Sequence, residues 1–294
     1  MNLRNQKGYT LVEILVAMLI IAIITTSLIG TFALQQQSST KQGSIQEIQE
    51  TAQLALTLIK RDLMMAGYGV MGALSLYFED GGSGNPDIIY INDSSFLSDQ
   101  ELLDGTWAQA QITGGSGTDT ITVDRVDIDG DGENEFKDDI SMRIITDGTS
   151  NKVARILNVN GNQLLLDQAV NGSYVAPALY YEISSNNLRK SSMSISGTQP
   201  LASNVVDLQV AYQDVNGTWY CDGSGPCPMS PFQANNIRLI RVSIITQSRP
   251  LSQQVGSNSV SAENGPTFSS SSSNKRIYRL YTIYIDPRNL PRSP

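Results

Sequence analysis

Histidine is absent from this sequence of 294 residues. Its absence excludes a Ser-His-Asp or Cys-His catalytic system, imidazole ligands for zinc, and general-base catalysis by histidine. Cysteine is nearly absent as well, because Cys221 and Cys227 are its only representatives. Two cysteines are too few for a structural zinc site or an iron–sulfur cluster. Both lie in a turn-rich segment, so we expect a disulfide that closes a short loop; the alternative is two unpaired surface thiols.

Charged residues are sparse, at 16%, and the formal net charge is −8. No run of Lys or Arg offers the positive surface that nucleic acids require, so we expect no nucleic-acid partner. The sequence also lacks a Gly-x-Ser-x-Gly elbow and a phosphate-binding P-loop. Outside one acidic loop and the turns, it offers no distinct pair of carboxylates for glycoside hydrolysis. We therefore do not expect an enzyme.

Proline does not occur before Pro86, so a long N-terminal helix is possible. Residues 11–34 are almost all apolar and reach the roughly 20 residues that span a bilayer as a helix. Arg4 and Lys7 precede this run, which predicts a cytoplasmic N-terminus and a remainder on the other side of the membrane. The alternative is a cleaved secretory signal, but residues 31–34 supply its small-residue cleavage pattern poorly.

Glu13 is the only charge within the apolar run. A carboxylate in a membrane-spanning helix costs about 2.5–3.5 kcal/mol on insertion scales, and it usually marks a function that involves a partner group. The surrounding segment Lys7-Gly8-Tyr9-Thr10-Leu11-Val12-Glu13 resembles the cleavage motif of type IV prepilins and type II secretion pseudopilins. The resemblance implies cleavage after Gly8 by a prepilin peptidase of the inner membrane and methylation of Tyr9. It also implies that Glu13 pairs with the new amine of a neighbouring pilin subunit.

The resemblance divides the chain into a leader at 1–8, a transmembrane and stem helix at 9–66, and a globular domain at 67–294. The stem carries an apolar stripe at helical spacing, formed by Ile45, Ile48, Ala52, Ala55 and Ile59. Gly67 suits the position that follows a helix. The segment from Arg61 to Tyr68 resembles the stem of PilW-type minor pilins and of J-type minor pseudopilins.

From residue 87 the sequence has the pattern of strands, and no second long helix is predicted. The fold class is therefore α+β: a long N-terminal helix followed by a largely antiparallel β-rich globular domain of pilin type. Asn160-Gly161 predicts a tight hairpin, and 252–274 predicts a flexible surface loop, with a ligand-contacting loop as the alternative. The predicted strands are 87–92, 119–126, 140–146, 152–159, 163–167, 178–184, 187–193, 205–212, 237–247 and 275–285.

An acidic segment at 127–138 follows the twelve-residue calcium-loop pattern, with glycine at its sixth position. So many carboxylates in one turn repel one another unless a cation neutralises them. We therefore expect a structural Ca²⁺ ion; the alternative is a solvated acidic turn. Glu133 would contribute its backbone carbonyl, Glu135 would act through water, and Asp138 replaces the usual final glutamate. The candidate ligands are Asp127, Asp129, Asp131, Glu133, Glu135 and Asp138.

Three functions are consistent with these features. The first is a minor type IV pilin that takes part in pilus assembly or initiation, near the tip and finally at the cell surface. The second is a minor pseudopilin of a type II secretion system. The third is an adhesin or binding module that uses a pilin-type anchor.

Overall fold

A computed structural model describes residues 10–137, 142–146, 151–192, 195–223, 234–251, 258–263, 265–271 and 273–290. The chain divides into two compact units, Met1–Glu47 and Ile48–Pro294. One helix, α1 (Leu11–Met65), contributes to both units.

In the first unit, α1 exposes all of its large apolar side chains from Leu11 to Leu34. Its hydroxyl groups bond within the helix: the Thr26 hydroxyl donates to the Ala22 carbonyl at 2.8 Å, and the Thr31 hydroxyl donates to the Ser27 carbonyl at 3.0 Å. A polar side chain that is satisfied in this way is compatible with an apolar surrounding. The helix is long and apolar enough to cross a membrane.

In the second unit, α1 packs its apolar stripe into the main core of the domain. Ala52, Ala55 and Ile59 are fully buried there, as the helical spacing predicts. The helix ends at Met65, and Gly67 has a φ of +88°, which favours glycine. A side chain on Gly67 would also place its Cβ 2.8 Å from the Asn289 carbonyl oxygen. The helix end is therefore fixed both by local conformation and by packing.

The second unit otherwise consists mainly of antiparallel strands, with one short helix, α2 (Asp99–Leu103). The strands are β1 (Leu76–Glu79), β2 (Ile88–Asn92), β3 (Ala110–Gly114), β4 (Thr118–Val123), β5 (Met142–Thr146), β6 (Asn151–Asn160), β7 (Gln163–Val170), β8 (Tyr174–Ser184), β9 (Asn187–Ser192), β10 (Ile195–Ser203), β11 (Val205–Asp214), β12 (Trp219–Tyr220), β13 (Ile237–Gln247), β14 (Ser259–Val260), β15 (Phe268–Ser269) and β16 (Tyr278–Ile285).

Six of these strands close into a barrel in the order β8-β3-β4-β7-β6-β5, because β5 pairs again with β8. Its interior holds a separate apolar cluster that includes Ile121, Leu164 and Val175. The other half of β8 pairs with β2 and β9, so this long strand joins the barrel to a second layer. A four-stranded sheet, β12-β11-β13-β16, packs with α1 in the main core.

Each predicted strand overlaps an observed one, and the strands that were not predicted are short or atypical in composition. β10 contains Pro200 and several small polar residues, and in the described part of the chain it pairs with β9 alone. Proline is tolerated at a sheet edge, where its missing N–H group costs no ladder hydrogen bond. The turn at Ser185-Asn186, between β8 and β9, has φ values of +52° and +59°, which are typical of a type I′ hairpin.

The segment at 252–274, predicted as a flexible loop, contains more structure than expected. Its described residues include the hairpin of β14 and β15. Ala262 and Phe268 pack against Val206, Ile245 and Tyr278 in a small apolar cluster. Residues 252–257, 264 and 272 lie outside the described part of the chain.

Candidate functional site

The first turn of α1 is closed by a reciprocal pair of hydrogen bonds between Thr10 and Glu13. The Thr10 N–H donates to Glu13 Oε2 at 2.9 Å, and the Glu13 N–H donates to Thr10 Oγ1 at 3.3 Å. The Thr10 hydroxyl also donates to Glu13 Oε2 at 3.0 Å. This is the geometry of a capping box, which satisfies two otherwise unpaired donors at a helix start. Glu13 therefore has a local role that the sequence analysis missed, although the Thr10-x-x-Glu13 pattern indicates it.

The cleavage and methylation residues, Gly8 and Tyr9, lie outside the described residues. The capping box nevertheless places the Glu13 carboxylate at the amide of Thr10, one residue after Tyr9 in the sequence. A negative charge in this first turn is also favoured by the helix dipole.

The second candidate site is the acidic loop between β4 and β5. Its carboxylates Asp127, Asp129, Asp131 and Glu135 each offer an oxygen atom within 4.8 Å of the others. Backbone N–H groups shape the loop: Gly130 and Gly132 donate to the two oxygens of Asp127 at 2.7 Å and 3.0 Å. Both glycines have positive φ, so the turn depends on them.

The acidic loop is anchored in the interior of the barrel. Ile128 and Phe136 are buried in its apolar cluster, and the Ile128 N–H donates to the Glu135 carboxylate. Glu135 itself is only 4% exposed. Burial, followed by the nearby charges of Asp129, Asp127 and Asp131, raises the pKa of Glu135. Burial and the charge of Asp131 also raise the pKa of Asp129. The four carboxylates are thus held close together at a cost that a cation would remove.

The structure distinguishes among the six predicted calcium ligands. It brings Asp127, Asp129, Asp131 and Glu135 together. The Glu135 carboxylate itself belongs to this cluster, whereas the sequence analysis expected it to act through water. The Glu133 side chain is exposed and lies 3.9 Å from the Lys137 ammonium group, which leaves only its backbone carbonyl as a candidate ligand. Asp138 lies outside the described residues. An all-oxygen donor set of this kind suits Ca²⁺ or another hard divalent cation.

Comparison with known proteins decides the character of the N-terminus. Residues 3–29 match the family model described as the prokaryotic N-terminal methylation motif. The chain therefore carries the methylation motif of prokaryotic prepilins at its N-terminus. No curated protein sequence matches the chain significantly. Among solved structures, a type IV-like pilin from Thermus thermophilus is similar, with a TM-score of 0.41 and 11% identity over 82% of this chain and 97% of that chain.

The domain that follows the N-terminal motif also has a buried ionic network that the sequence did not predict. Asp62, on the last turns of α1, is 8% exposed and accepts hydrogen bonds from Tyr181 Oη at 2.6 Å and Lys190 Nζ at 2.5 Å. Arg61 Nε donates to its second oxygen at 3.0 Å. Burial opposes the charged form, but the bonds from Lys190 and Tyr181 outweigh it and lower the pKa of Asp62. The network fixes the end of the helix to β8 and β9.

Of the two cysteines of the predicted disulfide, the structure describes Cys221. Cys221 is buried, with 3% exposure, and is disulfide-bonded. Cys227 lies outside the described residues. The pairing of the two therefore stays a prediction.

Proposed function

We propose that this protein is a minor type IV pilin, a structural subunit that takes part in pilus assembly and lies near the tip of the filament. The prepilin methylation motif on an exposed apolar helix carries this proposal. The resemblance of the stem from Arg61 to Tyr68 to minor pilins supports it further. The protein would be anchored in the inner membrane with its β-rich domain in the periplasm before it reaches the cell surface.

The N-terminal residues have separate roles in this proposal. A prepilin peptidase cleaves after Gly8 and methylates Tyr9. Glu13 then meets the new amine of a neighbouring pilin, because a carboxylate in an apolar helix bundle needs a positive partner. The capping box supports this role, since it holds Glu13 at the start of the helix rather than along its side.

The intact mass of the protein from native membranes tests the processing step. We expect a mature species that begins at methylated Tyr9 and is absent from a Gly8→Ala variant. A species that retains Met1, or one that begins near residue 34, would contradict the proposal. In the latter case the segment would be an ordinary secretory signal.

Deletion of the gene separates a pilus subunit from a secretion pseudopilin. We expect fewer surface pili, restored by the wild-type protein and not by Glu13→Ala, with unchanged export of type II substrates. Normal piliation with a loss of export would instead assign the protein to the secretion system.

We also propose that the acidic loop binds a structural Ca²⁺ ion. The support is the convergence of four carboxylates, one of them buried, on one small volume. Isothermal titration with Ca²⁺ tests it: Glu135→Gln is expected to abolish binding, whereas Glu133→Gln leaves it unchanged because that side chain points away. Equal binding by all three proteins would exclude this site.

A further inference from the structure

The rim of the barrel carries a cleft that none of the features above uses. The cleft has a volume of about 480 Å³ and lies between the loop after α2, the start of β3, the end of β4 and the start of β8. Trp107 forms one wall. The same residue also borders a second cleft of about 350 Å³, lined by Tyr68, Leu102 and Leu103. Trp107 is therefore shared by two clefts, and we call its exposed indole the Trp107 ridge.

The position of Trp107 is fixed although its side chain is open to solvent. The Ala108 N–H donates to the Gly69 carbonyl at 2.7 Å, and the Thr106 N–H donates to the Glu101 carbonyl at 2.9 Å. Ala108 is fully buried, whereas Trp107 is 49% exposed and its neighbour Leu103 is 80% exposed. An aromatic ring held in this way has already lost much of its freedom before any ligand arrives.

Polar side chains line the larger cleft, and hydrogen bonds hold two of them in place. Gln109 Oε1 accepts the Met71 N–H at 2.8 Å, which leaves the Gln109 amide N–H₂ group available. Asp124 accepts the Gln111 N–H at 2.7 Å, and Arg125 Nε lies 3.3 Å from its other oxygen.

Several donors and acceptors of this cleft remain unused. In the part of the chain that the structure describes, the side-chain amide of Gln111, the hydroxyl of Tyr174 and the outer guanidinium N–H groups of Arg125 have no partner. The cleft therefore offers an aromatic face beside several unpaired hydrogen-bonding groups.

The chemistry of this surface excludes other classes of ligand. An extended peptide cannot add to β3, because that strand already pairs with β4 and β8. Arg125 is balanced by Asp104 and Asp124, so the surface does not favour an anion such as a phosphate group. A lipid chain requires a mostly apolar cavity, which these polar residues do not provide.

We propose that the Trp107 ridge and its polar cleft bind a neutral oligosaccharide. The apolar faces of successive sugar rings would lie on the indole of Trp107, and their hydroxyl groups would bond to Gln109, Gln111 and Arg125. Two clefts that share Trp107 suit a linear chain of several units rather than a single sugar. This site is independent of the role of the N-terminal helix in assembly.

The test uses the full chain in a polyoxyethylene detergent, which has no sugar headgroup. A Trp219→Phe variant makes Trp107 the only tryptophan, so its fluorescence reports on the cleft alone. The probes are hexasaccharides of β-1,4-linked glucose, β-1,4-linked N-acetylglucosamine and α-1,4-linked glucose. We expect a saturable change in Trp107 fluorescence with at least one of them.

Affinities measured by titration calorimetry then identify the contacts. With the hexasaccharide that binds, Trp107→Ala should weaken affinity at least about tenfold, or about 1.4 kcal/mol, while Trp107→Phe retains part of it. Gln111→Ala should weaken affinity less, and Trp219→Phe should leave it unchanged. Unaltered thermal unfolding of Trp107→Ala would show that the fold is intact, as expected for a half-exposed side chain.

Two results would overturn the proposal. One is the absence of saturable binding by all three hexasaccharides up to about 10 mM; binding of a random peptide library at Trp107 would then make the cleft a protein contact. The other is an affinity that Trp107→Ala leaves unchanged.

Discussion

The two ends of α1 each carry a carboxylate, and the two obtain their partners in different ways. Glu13 is bonded by Thr10, three residues away, in an exposed first turn. Asp62 is buried and is bonded by Tyr181 and Lys190, which lie on strands more than a hundred residues later in the chain. The partners of the first form with the helix itself, whereas those of the second require the domain to fold.

The same difference separates two aspartates of the β domain, Asp127 in the acidic loop and Asp87 before β2. The oxygens of Asp127 are bonded by N–H groups within its own loop. Asp87 is instead bonded by the N–H of Val210, on β11, at 2.7 Å, as well as by the N–H of nearby Gly81. Carboxylates with distant partners lie inside the domain, so their loss should cost more than the loss of locally bonded ones.

The largest effect is expected from Asp62→Ala. This change leaves the Lys190 ammonium group, 19% exposed, without its carboxylate partner. Breaking one side of a buried ion pair costs about 3–5 kcal/mol, so the free energy of unfolding in urea should fall by about that amount. Arg61→Ala is the matched control: Arg61 is 65% exposed, and its loss should cost less than about 1 kcal/mol. An equal loss of unfolding free energy in the two variants would show that burial does not determine the cost of losing a charged side chain here.

A pH dependence is expected from the buried carboxyls of the β domain. Burial raises the pKa of Asp87 to about 7 and that of Asp207 to about 6, in both cases with a contribution from a neighbouring acid. Both values exceed that of an unfolded aspartate, near 3.9. These groups therefore favour the folded state below about pH 4, and that contribution is lost as the pH rises towards 7. The Asp207 shift corresponds to about 2–3 kcal/mol.

Asp207→Asn sharpens this prediction. Asp207 Oδ2 is buried and has no hydrogen-bond partner among the described residues, and the new amide keeps the size of the carboxyl group but does not titrate. The difference in unfolding free energy between about pH 5 and about pH 8 should shrink in this variant. The exposed control Asp119→Asn should retain the full difference. An unchanged pH profile in Asp207→Asn would assign the dependence to other groups.

These differences also explain how much of the structure could be predicted from sequence. The apolar run, the stripe at Ala52 and Ile59, and the acidic loop are local patterns, and each lies where its spacing predicted. The Asp62 network could not be predicted, because nothing near Asp62 in the sequence identifies Tyr181 or Lys190 as its partners. The closure of the barrel is equally invisible, since it depends on the second pairing of β8 with β5. The place of the Glu135 carboxylate among the other three could not be predicted either, because it depends on the burial of the neighbouring Phe136 in the barrel.

Calcium should have an intermediate effect on stability. An extracellular calcium site binds at about 0.1–1 mM, and an ion at 100 times its dissociation constant adds about 2.7 kcal/mol to the folded state. We therefore expect about 10 mM Ca²⁺ to raise the unfolding free energy by about 1.5–3 kcal/mol. Glu135→Gln should remove this increment and Glu133→Gln should not. A similar gain with Mg²⁺ at the same concentration would indicate general screening of the acidic loop.

The smallest effect is expected from Thr10→Ala, which removes the cap of the first helical turn. Loss of a threonine cap costs about 1 kcal/mol, so the Glu13 amide should exchange with deuterium about fivefold faster in detergent micelles. Thr10→Ser keeps the hydroxyl oxygen and should preserve the wild-type rate. The urea unfolding of the β domain should not change, because within the described residues the side chains of Thr10 and Glu13 form hydrogen bonds only in the first turn. An unchanged exchange rate in Thr10→Ala would contradict this prediction. It would mean that the Thr10–Glu13 hydrogen bonds do not stabilise the first turn of the helix.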